Sequence, residues 1–320
     1  MKKAAIVGCG NIAGFLDAPE SKTIVTHAHA YSINKDTHLI ACCDPDDVQR
    51  AKFCSRWGDE IHAYESLHVM LEKESIDILS ICSPTEFHAH DLKLALRDSN
   101  TTTIICEKPF VQTQNELDEL LPLVQQTQKK ILINYMRRYD PSMQELARLL
   151  KSKNLGEIEH FSGTFTKGLY HNGSHMLELI EHLCGEITLI KMLTCKDNLQ
   201  GSFYLETTQT RGTLNNESGD NYALFEFDII LSKGRVRIKN AGHIIEIETL
   251  KPSQEYAGYY NLSLEKTLKD SMQRNIYNTL HVSLNDDTRD IFLSHLRLSQ
   301  KLLDIQDKLY KNRKLTWEPQ

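Results

Sequence analysis

Hydrophobic residues in the first part of the chain form short continuous runs, separated by stretches with the spacing of amphipathic helices. The runs cover residues 4–7, 39–43, 76–82, 103–106 and 130–134, and the helical stretches include residues 47–57, 67–72, 88–96 and 114–128. An unbroken apolar run is typical of a strand that is buried on both faces, and strands joined through helices run parallel. Residues 1–134 are therefore predicted to form a doubly wound parallel sheet.

The pattern changes after residue 134. Helical spacing over residues 141–151 and 174–184 is followed by runs in which apolar and charged residues alternate. The apolar set is Phe225, Phe227, Ile229, Val236, Ile238, Ile245 and Ile247, and the charged set is Glu226, Asp228, Arg235, Arg237, Glu246 and Glu248. This alternation predicts an antiparallel sheet with one buried face, and residues 287–308 are predicted to form a long closing helix. The chain is thus assigned to the α/β class with two domains.

A glycine-rich turn follows the first apolar run. The residues of this turn that are predicted to bind a dinucleotide are Gly8, Gly10, Asn11, Ile12 and Ala13. Such a turn brings backbone N–H groups and the positive end of a helix to a pyrophosphate, and a side chain at Gly8 or Gly10 would block the approach. Glycine-rich turns also close strand-to-helix connections that bind nothing, so the turn alone leaves both alternatives open.

An acidic residue ends the second predicted strand. Asp44 is predicted to accept hydrogen bonds from both ribose hydroxyls, which favours NAD, while nearby Arg50 or Lys52 leaves NADP possible. The distance from the glycines exceeds the usual spacing of about 20 residues, because residues 15–26 form a predicted loop before the first helix. The alternative for Asp44 is a turn residue that starts the next helix.

Composition limits the classes of function. The chain of 320 residues has a net charge of −6, which argues against a general nucleic-acid binder. No apolar run approaches the roughly 20 residues that span a membrane, and the first strand begins without a signal-peptide pattern. The eight cysteines form no C-x-x-C pair, and several lie in apolar runs. They are predicted to be reduced thiols of a cytoplasmic protein.

Two more motifs stand where predicted parallel strands end. The first is Ser83-Pro84-Thr85 with His88, and the second is Glu107-Lys108-Pro109. The ends of parallel strands share one edge with the glycine turn, so Lys108 is expected to face the coenzyme, with Pro109 restricting its backbone. Burial there would lower the pKa of Lys108 and suit it to proton transfer. The alternative is that Glu107 and Lys108 form an ordinary surface pair.

Taken in order, these motifs and the segment at residues 134–141 resemble the Gfo/Idh/MocA family of sugar and cyclitol oxidoreductases. That segment is Asn134-Tyr135-Met136-Arg137-Arg138-Tyr139-Asp140-Pro141. The likeness covers nearly the whole chain, and Glu-Lys-Pro is its most specific part. It implies a Rossmann domain over residues 1–134 and a substrate-binding and oligomerisation domain over residues 135–320, which forms a homodimer or homotetramer through its open sheet. It also implies that Lys108 contacts both coenzyme and substrate, and that coenzyme contacts come from Ser83, Pro84, Thr85, His88 and Glu107.

The resemblance implies a second catalytic motif, D-x-G-x-H, at the start of a helix in the second domain. The matching residues are His171-Asn172-Gly173-Ser174-His175. His175 falls on the family's catalytic histidine, whereas His171 replaces the usual aspartate and departs from the carboxylate-assisted proton relay. A helix N-terminus disfavours imidazolium, which suits a neutral His175 to act as the base in oxidation or the acid in reduction.

Two alternatives concern this segment. Glu178 and His182 lie one and two turns after His175, and they either orient its ring or form a pair on a solvated face. His171 and His175 have the spacing of a shared zinc site. The helix is predicted to begin only at Gly173 and Ser174, however, so no metal site is expected.

Arg137 and Arg138 lie where the chain passes between the predicted domains. A guanidinium there could hold a substrate hydroxyl, carboxylate or phosphate, or form an interdomain salt bridge. Tyr135 is either a substrate-pocket residue, as the resemblance implies, or a core residue.

These features predict an NAD(P)-dependent oxidoreductase that transfers hydride to or from a sugar, a sugar nucleotide or a cyclitol. The predicted catalytic residues are Lys108, His175 and His171, and the predicted substrate contacts are Lys108, Tyr135, Arg137, Arg138, His171 and His175. The alternatives are a glycosidase or epimerase that retains its coenzyme, and a sugar- or dinucleotide-sensing regulator, which the replaced aspartate favours. No nucleic-acid or membrane partner is expected.

Overall fold

The computed structural model describes residues 1–195, 200–219, 221–269 and 272–316. By their internal contacts these residues form two compact units. One unit contains Met1–Tyr139 with Gln273–Leu303, and the other contains Asp140–Met272 with the described residues from Asp304. Residues 273–303 therefore pack with the N-terminal unit, although they follow the strands of the second unit in the chain.

A six-stranded sheet forms the centre of the first unit. Its strands are β1 (Lys2–Val7), β2 (Thr37–Cys43), β3 (His62–Tyr64), β4 (Ile78–Ile81), β5 (Thr103–Cys106) and β6 (Lys130–Ile133). All are parallel in the order β3-β2-β1-β4-β5-β6, which reverses direction between β1 and β4. This confirms the predicted doubly wound sheet, and ligands of such sheets bind at the reversal. The short strand β3 was missed because it carries no apolar run.

Helices connect these strands. They are α1 (His27–Ile33), α2 (Asp47–Trp57), α3 (Leu67–Lys73), α4 (Thr85–Arg97) and α5 (Gln114–Gln126). Polar side chains at the residue before the helix cap four of them: Thr26, Asp46, Ser66 and Thr113. Because each cap accepts N–H groups that have no partner inside the helix, it fixes where that helix begins.

The segment between the glycine turn and α1 is packed closely. A π-helical turn over Asn11–Phe15 follows the glycines. Asp17 then accepts hydrogen bonds from Val25 N at 2.7 Å and His29 Nδ1 at 3.0 Å. Trp57 Nε1 donates to Gly14 O at 2.9 Å. The predicted insert is therefore anchored at both ends and leaves the glycine turn intact.

An eight-stranded sheet forms the second unit. Its strands are β7 (Ile158–Phe165), β8 (Ile187–Cys195), β9 (Gly201–Thr207), β10 (Arg211–Asn216), β11 (Phe225–Leu231), β12 (Gly234–Lys239), β13 (Ile244–Pro252) and β14 (Tyr260–Leu268). The order is β14-β13-β12-β11-β7-β10-β9-β8. Among these described pairs, β7 and β10 are parallel and the others antiparallel, so the expected antiparallel sheet is in fact mixed.

The predicted alternation of faces is confirmed. Phe225, Phe227 and Ile229 are buried, whereas Glu226 and Asp228 on the same strand are half-buried. Two helices of this unit, α6 (Pro141–Lys151) and α7 (Ser174–Cys184), have the predicted bounds.

Two further helices follow, α8 (Asn275–Asn285) and α9 (Arg289–Thr316). In the first unit, Thr279 of α8 donates a hydrogen bond to Asn134 Oδ1 at 2.8 Å. The ring of Phe292 on α9 lies 5.8 Å from that of Phe110. Across the described part of the chain, every helix is too short or too polar to pass through a lipid bilayer.

Candidate functional site

Gly8 is required by the fold itself. Its φ of +85° lies in the left-handed region, and a Cβ there would be 2.5 Å from Ser83 N. Gly8 N also donates to Cys43 O at 2.8 Å, which ties the turn to the end of β2. A side chain at this position would collide with the loop that follows β4.

Gly10 has no such packing reason. Its backbone is extended, and a Cβ built there meets no atom within 4 Å. The turn after it begins at exposed Asn11 and half-buried Ile12, while Ala13 is fully buried. The first N–H groups of a helical turn have no acceptor inside it. Open space beside such groups fits the pyrophosphate of a dinucleotide.

Asp44 supports the glycine turn directly. Its Oδ2 accepts a hydrogen bond from Cys9 N at 2.8 Å, and its Oδ1 accepts one from Asp46 N at 3.0 Å. The guanidinium of Arg50 donates to the Asp44 carbonyl oxygen. Asp44 therefore acts as a turn residue, since its carboxylate accepts hydrogen bonds from two backbone N–H groups. Each carboxylate oxygen can accept a second bond, so the ribose contact stays a prediction.

His88 joins the loops that follow β4 and β5. Its Nδ1 lies 2.8 Å from Pro109 O, and its Nε2 lies 3.0 Å from Ser83 O. Ser83 Oγ donates to Asp91 Oδ2 at 2.6 Å. Because carbonyl oxygens occupy both ring nitrogens, the side chain of His88 positions these loops. Pro84, in contrast, is exposed.

Glu107 is a buried carboxylate, which contradicts the alternative of a surface pair. It is 8% exposed and accepts hydrogen bonds at Oε1 from Asn134 Nδ2 at 2.6 Å and His27 Nε2 at 3.1 Å. Burial raises the pKa of this carboxyl, but the bonds from His27 and Asn134 and the charge of Lys108 outweigh it. The pKa of Glu107 consequently lies below its ordinary value.

Lys108 follows Glu107 at the end of β5 and is half-buried. Its peptide bond to Pro109 is cis. Burial lowers the pKa of Lys108, the positive charge of Arg137 acts in the same direction, and Glu107 opposes both. The net pKa lies below the ordinary lysine value, which favours proton exchange nearer to neutral pH.

The residues after β6 divide into core and site. Tyr135 is 0% exposed, and its ring lies 4.9 Å from that of His295 on α9. Arg137 is buried in the short 3-10 turn that follows, and its charge is felt by Lys108. Arg138 is half-buried. Tyr135 is therefore buried, and the charge of Arg137 contributes to the lowered pKa of Lys108.

In the second unit, His175 is buried near the start of α7. The helix begins at Ser174, as predicted, but a π-helical turn over Leu169–Gly173 leads directly into it. Helical backbone therefore starts before His171, and the positive end of the run lies nearer Leu169 than His175. Within the described ranges, no three His, Cys, Asp or Glu side chains are grouped so that they could hold a metal ion.

His27 and Thr279 are site residues that the sequence did not reveal. His27 lies 80 positions from its partner Glu107, and Thr279 lies 145 positions from Asn134. The local sequence around His27 reads Thr-His-Ala-His, which is ordinary for a capped helix start. Only the tertiary pairing identifies these two side chains.

Comparison with known proteins agrees with this geometry. Residues 2–135 match the family described as oxidoreductase family, NAD-binding Rossmann fold. The inositol 2-dehydrogenase of Rhizobium meliloti is 27% identical over 133 residues, which cover 42% of this chain and 39% of that protein. The D-glucoside 3-dehydrogenase of Escherichia coli is 26% identical over 156 residues, which cover 49% of this chain and 41% of the relative. The chain thus matches about two fifths of the length of each.

A solved structure extends the likeness in fold. KijD10, a 3-ketoreductase from Actinomadura kijaniata crystallised with NADP, superposes with a TM-score of 0.69 at 17% identity. The match covers 93% of this chain and 94% of KijD10. At this identity the similarity concerns the fold of the chain.

Proposed function

We propose that the chain is an NAD(P)-dependent dehydrogenase or reductase of the Gfo/Idh/MocA family, whose model its residues 2–135 match. Its substrate is proposed to be a sugar, a sugar nucleotide or a cyclitol. The names of two relatives, inositol 2-dehydrogenase and D-glucoside 3-dehydrogenase, support a cyclitol and a sugar derivative. The observation that carries the proposal is the shared sheet edge. The open glycine turn after β1, the loop after β4 and Lys108 after β5 follow three neighbouring strands.

The nicotinamide ring, when bound, supplies a two-electron donor or acceptor. Gly10, Asn11 and Ile12 hold the pyrophosphate through backbone N–H groups, while Asp44 binds the ribose hydroxyls. Lys108 donates a hydrogen bond to the substrate oxygen and stabilises the negative charge that develops on it. Its lowered pKa makes the ammonium group a stronger hydrogen-bond donor to that oxygen.

His175 is assigned the proton-transfer role in the same reaction. Its neutral imidazole takes the single hydroxyl proton during oxidation, and the imidazolium so formed returns it during reduction. His171, which stands in place of the family's aspartate, is proposed to contact the substrate and assist His175. With a histidine at position 171, the family's aspartate carboxylate is missing from this position, and His175 takes the proton without its help.

The coenzyme preference is proposed to be for NAD. The Asp44 carboxylate would repel the 2′-phosphate of NADP. Arg50, which donates to the backbone of Asp44, offers a positive charge nearby and leaves NADP as a weaker second coenzyme. Arg137 adds positive charge beside Lys108, and it supports a substrate with an electron-rich or anionic group.

The test has two stages. The purified chain is titrated with NADH and NADPH by fluorescence, and we expect both to bind, NADH more tightly. Oxidation is then assayed with inositols, glucosides, free sugars and UDP-, GDP- and dTDP-linked sugars. Net formation of reduced coenzyme supports the proposal. Turnover without net reduction would indicate a coenzyme-retaining glycosidase or epimerase, and binding without turnover a regulator. Failure to bind either coenzyme would refute the proposal.

We also propose that the chain self-associates as a homodimer or homotetramer through the exposed face of the eight-stranded sheet. That face carries Ser162, Thr164, Asp228, Arg237 and Lys239 around a shallow hollow. Its charges of both signs make it suitable for contact with a second copy of itself. The seven cysteines with described side chains are free thiols, which supports a cytoplasmic protein.

A further inference from the structure

A chain of buried polar side chains runs from Tyr31 to Glu107 within the first unit. Tyr31 Oη lies 2.6 Å from Ser80 Oγ, and Ser80 Oγ lies 2.8 Å from His27 Nδ1. His27 Nε2 completes the chain at 3.1 Å from Glu107 Oε1. Ser80 and His27 are 0% exposed and Tyr31 is 2% exposed. Polar groups buried so deeply depend on hydrogen bonds with one another.

The chemistry of these groups determines which of them donates and which accepts in each hydrogen bond of the series. A carboxylate only accepts, so His27 Nε2 must carry the proton that it donates to Glu107. With one proton on the ring, Nδ1 accepts from the Ser80 hydroxyl, and the Tyr31 hydroxyl donates to Ser80. Every hydrogen then has an acceptor among the described contacts. A second proton on Nδ1 would turn the Ser80 hydroxyl toward Tyr31 and leave the Tyr31 hydrogen without an acceptor among those same contacts.

The last member of this hydrogen-bonded series is Glu107, the residue that precedes Lys108. His27 and Asn134 both donate to Glu107 Oε1, and Asn134 is itself held by Thr279 at 2.8 Å. Residues of α1, of the segment just after β6 and of α8 thus fix one carboxylate. Its negative charge acts on the neighbouring ammonium group.

We propose that His27 is a positioning residue for the reaction: its Nε2–H, oriented by Tyr31 and Ser80, fixes the Glu107 carboxylate, which sets the charge and place of Lys108. This inference rests on the proposed function of Lys108. It assigns to a buried histidine on α1 a role in the chemistry at the end of β5.

Removal of the His27 donor has a predictable electrical consequence. The other titratable or charged groups near Glu107 and Lys108 are Cys82 after β4, Cys106 on β5 and Arg137 after β6. Of these, the thiols have raised pKa values because they are buried, and Arg137 is positive. Without the His27 hydrogen bond the Glu107 carboxylate loses one of the donors that fix its position and can turn away from Lys108. A carboxylate farther from the ammonium group stabilises its charge less, so the pKa of Lys108 falls further.

The experiment compares four full-length proteins: wild type, His27→Leu, His27→Gln and His29→Leu. Leucine fills the space of the ring without a donor, whereas the glutamine amide can donate to Glu107 and accept from Ser80. His29 is the matched control, because it is 1% exposed on the same helix but bonds Asp17, and its ring centroid lies 5.6 Å from that of Trp57. The pH midpoint of Lys108 is measured by competitive labelling with acetic anhydride and peptide mass spectrometry.

We expect the Lys108 midpoint in His27→Leu to fall by about one pH unit, to return toward wild type in His27→Gln, and to stay unchanged in His29→Leu. Nitrogen NMR of the wild type should show His27 protonated at Nε2 only. In turnover, the limb of the kcat/KM profile that belongs to Lys108 should move with the labelling midpoint.

An unmoved midpoint in folded His27→Leu, an equal shift in His29→Leu, or a doubly protonated His27 would overturn the proposal. If His27→Leu fails to fold, His27→Gln and the wild-type NMR spectrum still decide. Labelling and NMR need neither coenzyme nor substrate. Absence of turnover in the wild type would therefore count against the proposed function and leave the role of His27 to be judged separately.

Discussion

The two sheets of this molecule distribute polar chemistry in opposite ways. In the six-stranded sheet, strands β4 and β5 are buried at every residue, and polar side chains with chemical roles follow directly after the strands end. In the eight-stranded sheet, charged residues alternate with apolar ones along part of β11 and β13 and along β12. A strand buried on both faces can carry functional groups only where it emerges, whereas a strand with one free face can carry them along its length.

The difference shows in how the charges are satisfied. Glu107, at the end of β5, is fixed by buried donors from distant segments, and its charge serves a neighbour. Arg237, in the middle of β12, pairs with Glu248 at 2.7 Å and Glu246 at 3.3 Å on the adjacent strand. The ion pairs of Arg237 join neighbouring strands, and each pair contributes little because the other remains when it is lost. We therefore expect single substitutions at strand ends of the first sheet to have large effects, and substitutions on the exposed face of the second sheet to have small ones.

The largest effect is expected for Lys108→Met. Methionine keeps most of the side-chain length but has no ammonium group to donate to the substrate oxygen. Turnover should fall by about 10³-fold or more, because the loss falls on the transition state, while NADH affinity measured by fluorescence stays within a few-fold of wild type. Near-normal activity in this variant would show that the end of β5 is not the reactive edge.

The two glycines of the turn provide a matched pair that separates folding from binding. Gly8→Ala places a Cβ 2.5 Å from Ser83 N at a φ of +85°, and we expect a loss of about 3 kcal/mol in the free energy of unfolding. Gly10→Ala meets no atom within 4 Å, so its stability should change by less than about 0.5 kcal/mol.

The main effect of Gly10→Ala should be on coenzyme affinity and not on stability. Gly10→Ala is expected to weaken NADH binding by about tenfold or more, because the methyl group occupies the space for the pyrophosphate. Urea unfolding and NADH titration of both variants check this. A Gly10→Ala protein that binds NADH as well as wild type would place the pyrophosphate elsewhere.

Sequence patterns predicted the parts of the structure that depend on neighbours in the chain. The unbroken apolar runs located five of the six parallel strands, and alternation located the buried side of β11. Both succeeded because the faces that a strand buries are determined by the hydrophobicity of its own residues. Glu107 and Lys108 were identified by their position at a strand end.

Long-range pairing was not predictable in the same way. His27 meets Glu107 across 80 positions, and α8 packs into the first unit although it follows the whole second sheet. The expected antiparallel sheet also contains the parallel pair of β7 and β10. Strand direction depends on the path of the chain between the strands, and residues 166–210 hold a helix and two strands whose order no local pattern dictates.

A smaller effect is expected at Asp44, which serves both the fold and, in our proposal, the ribose. Asp44→Ala removes the acceptor for Cys9 N as well as any acceptor for the ribose hydroxyls. Loss of the first should weaken NADH and NADPH equally, and loss of the second should weaken only NADH. We expect the ratio of NADH to NADPH affinity to fall by about tenfold, from hydrogen bonds to a charged group. An unchanged ratio would confine Asp44 to supporting the glycine turn.

A modest effect on stability and none on coenzyme binding are expected on the second sheet, with Arg237→Glu. The substitution turns two cross-strand ion pairs with Glu246 and Glu248 into repulsions, yet partly exposed pairs of this kind contribute only about 0.2–1 kcal/mol each. Coenzyme affinity should be unchanged, because the first unit is untouched.

If the exposed face joins two copies of the chain, however, a reversed charge at its centre is repeated by symmetry and should dissociate the oligomer. Analytical ultracentrifugation of Arg237→Glu beside Lys153→Glu, which breaks the ion pair with Glu157 outside the sheet, distinguishes the two cases. If only Arg237→Glu dissociates, this face joins the copies of the chain. If both variants have the same association state, the charges on this face are ordinary solvent-exposed ion pairs.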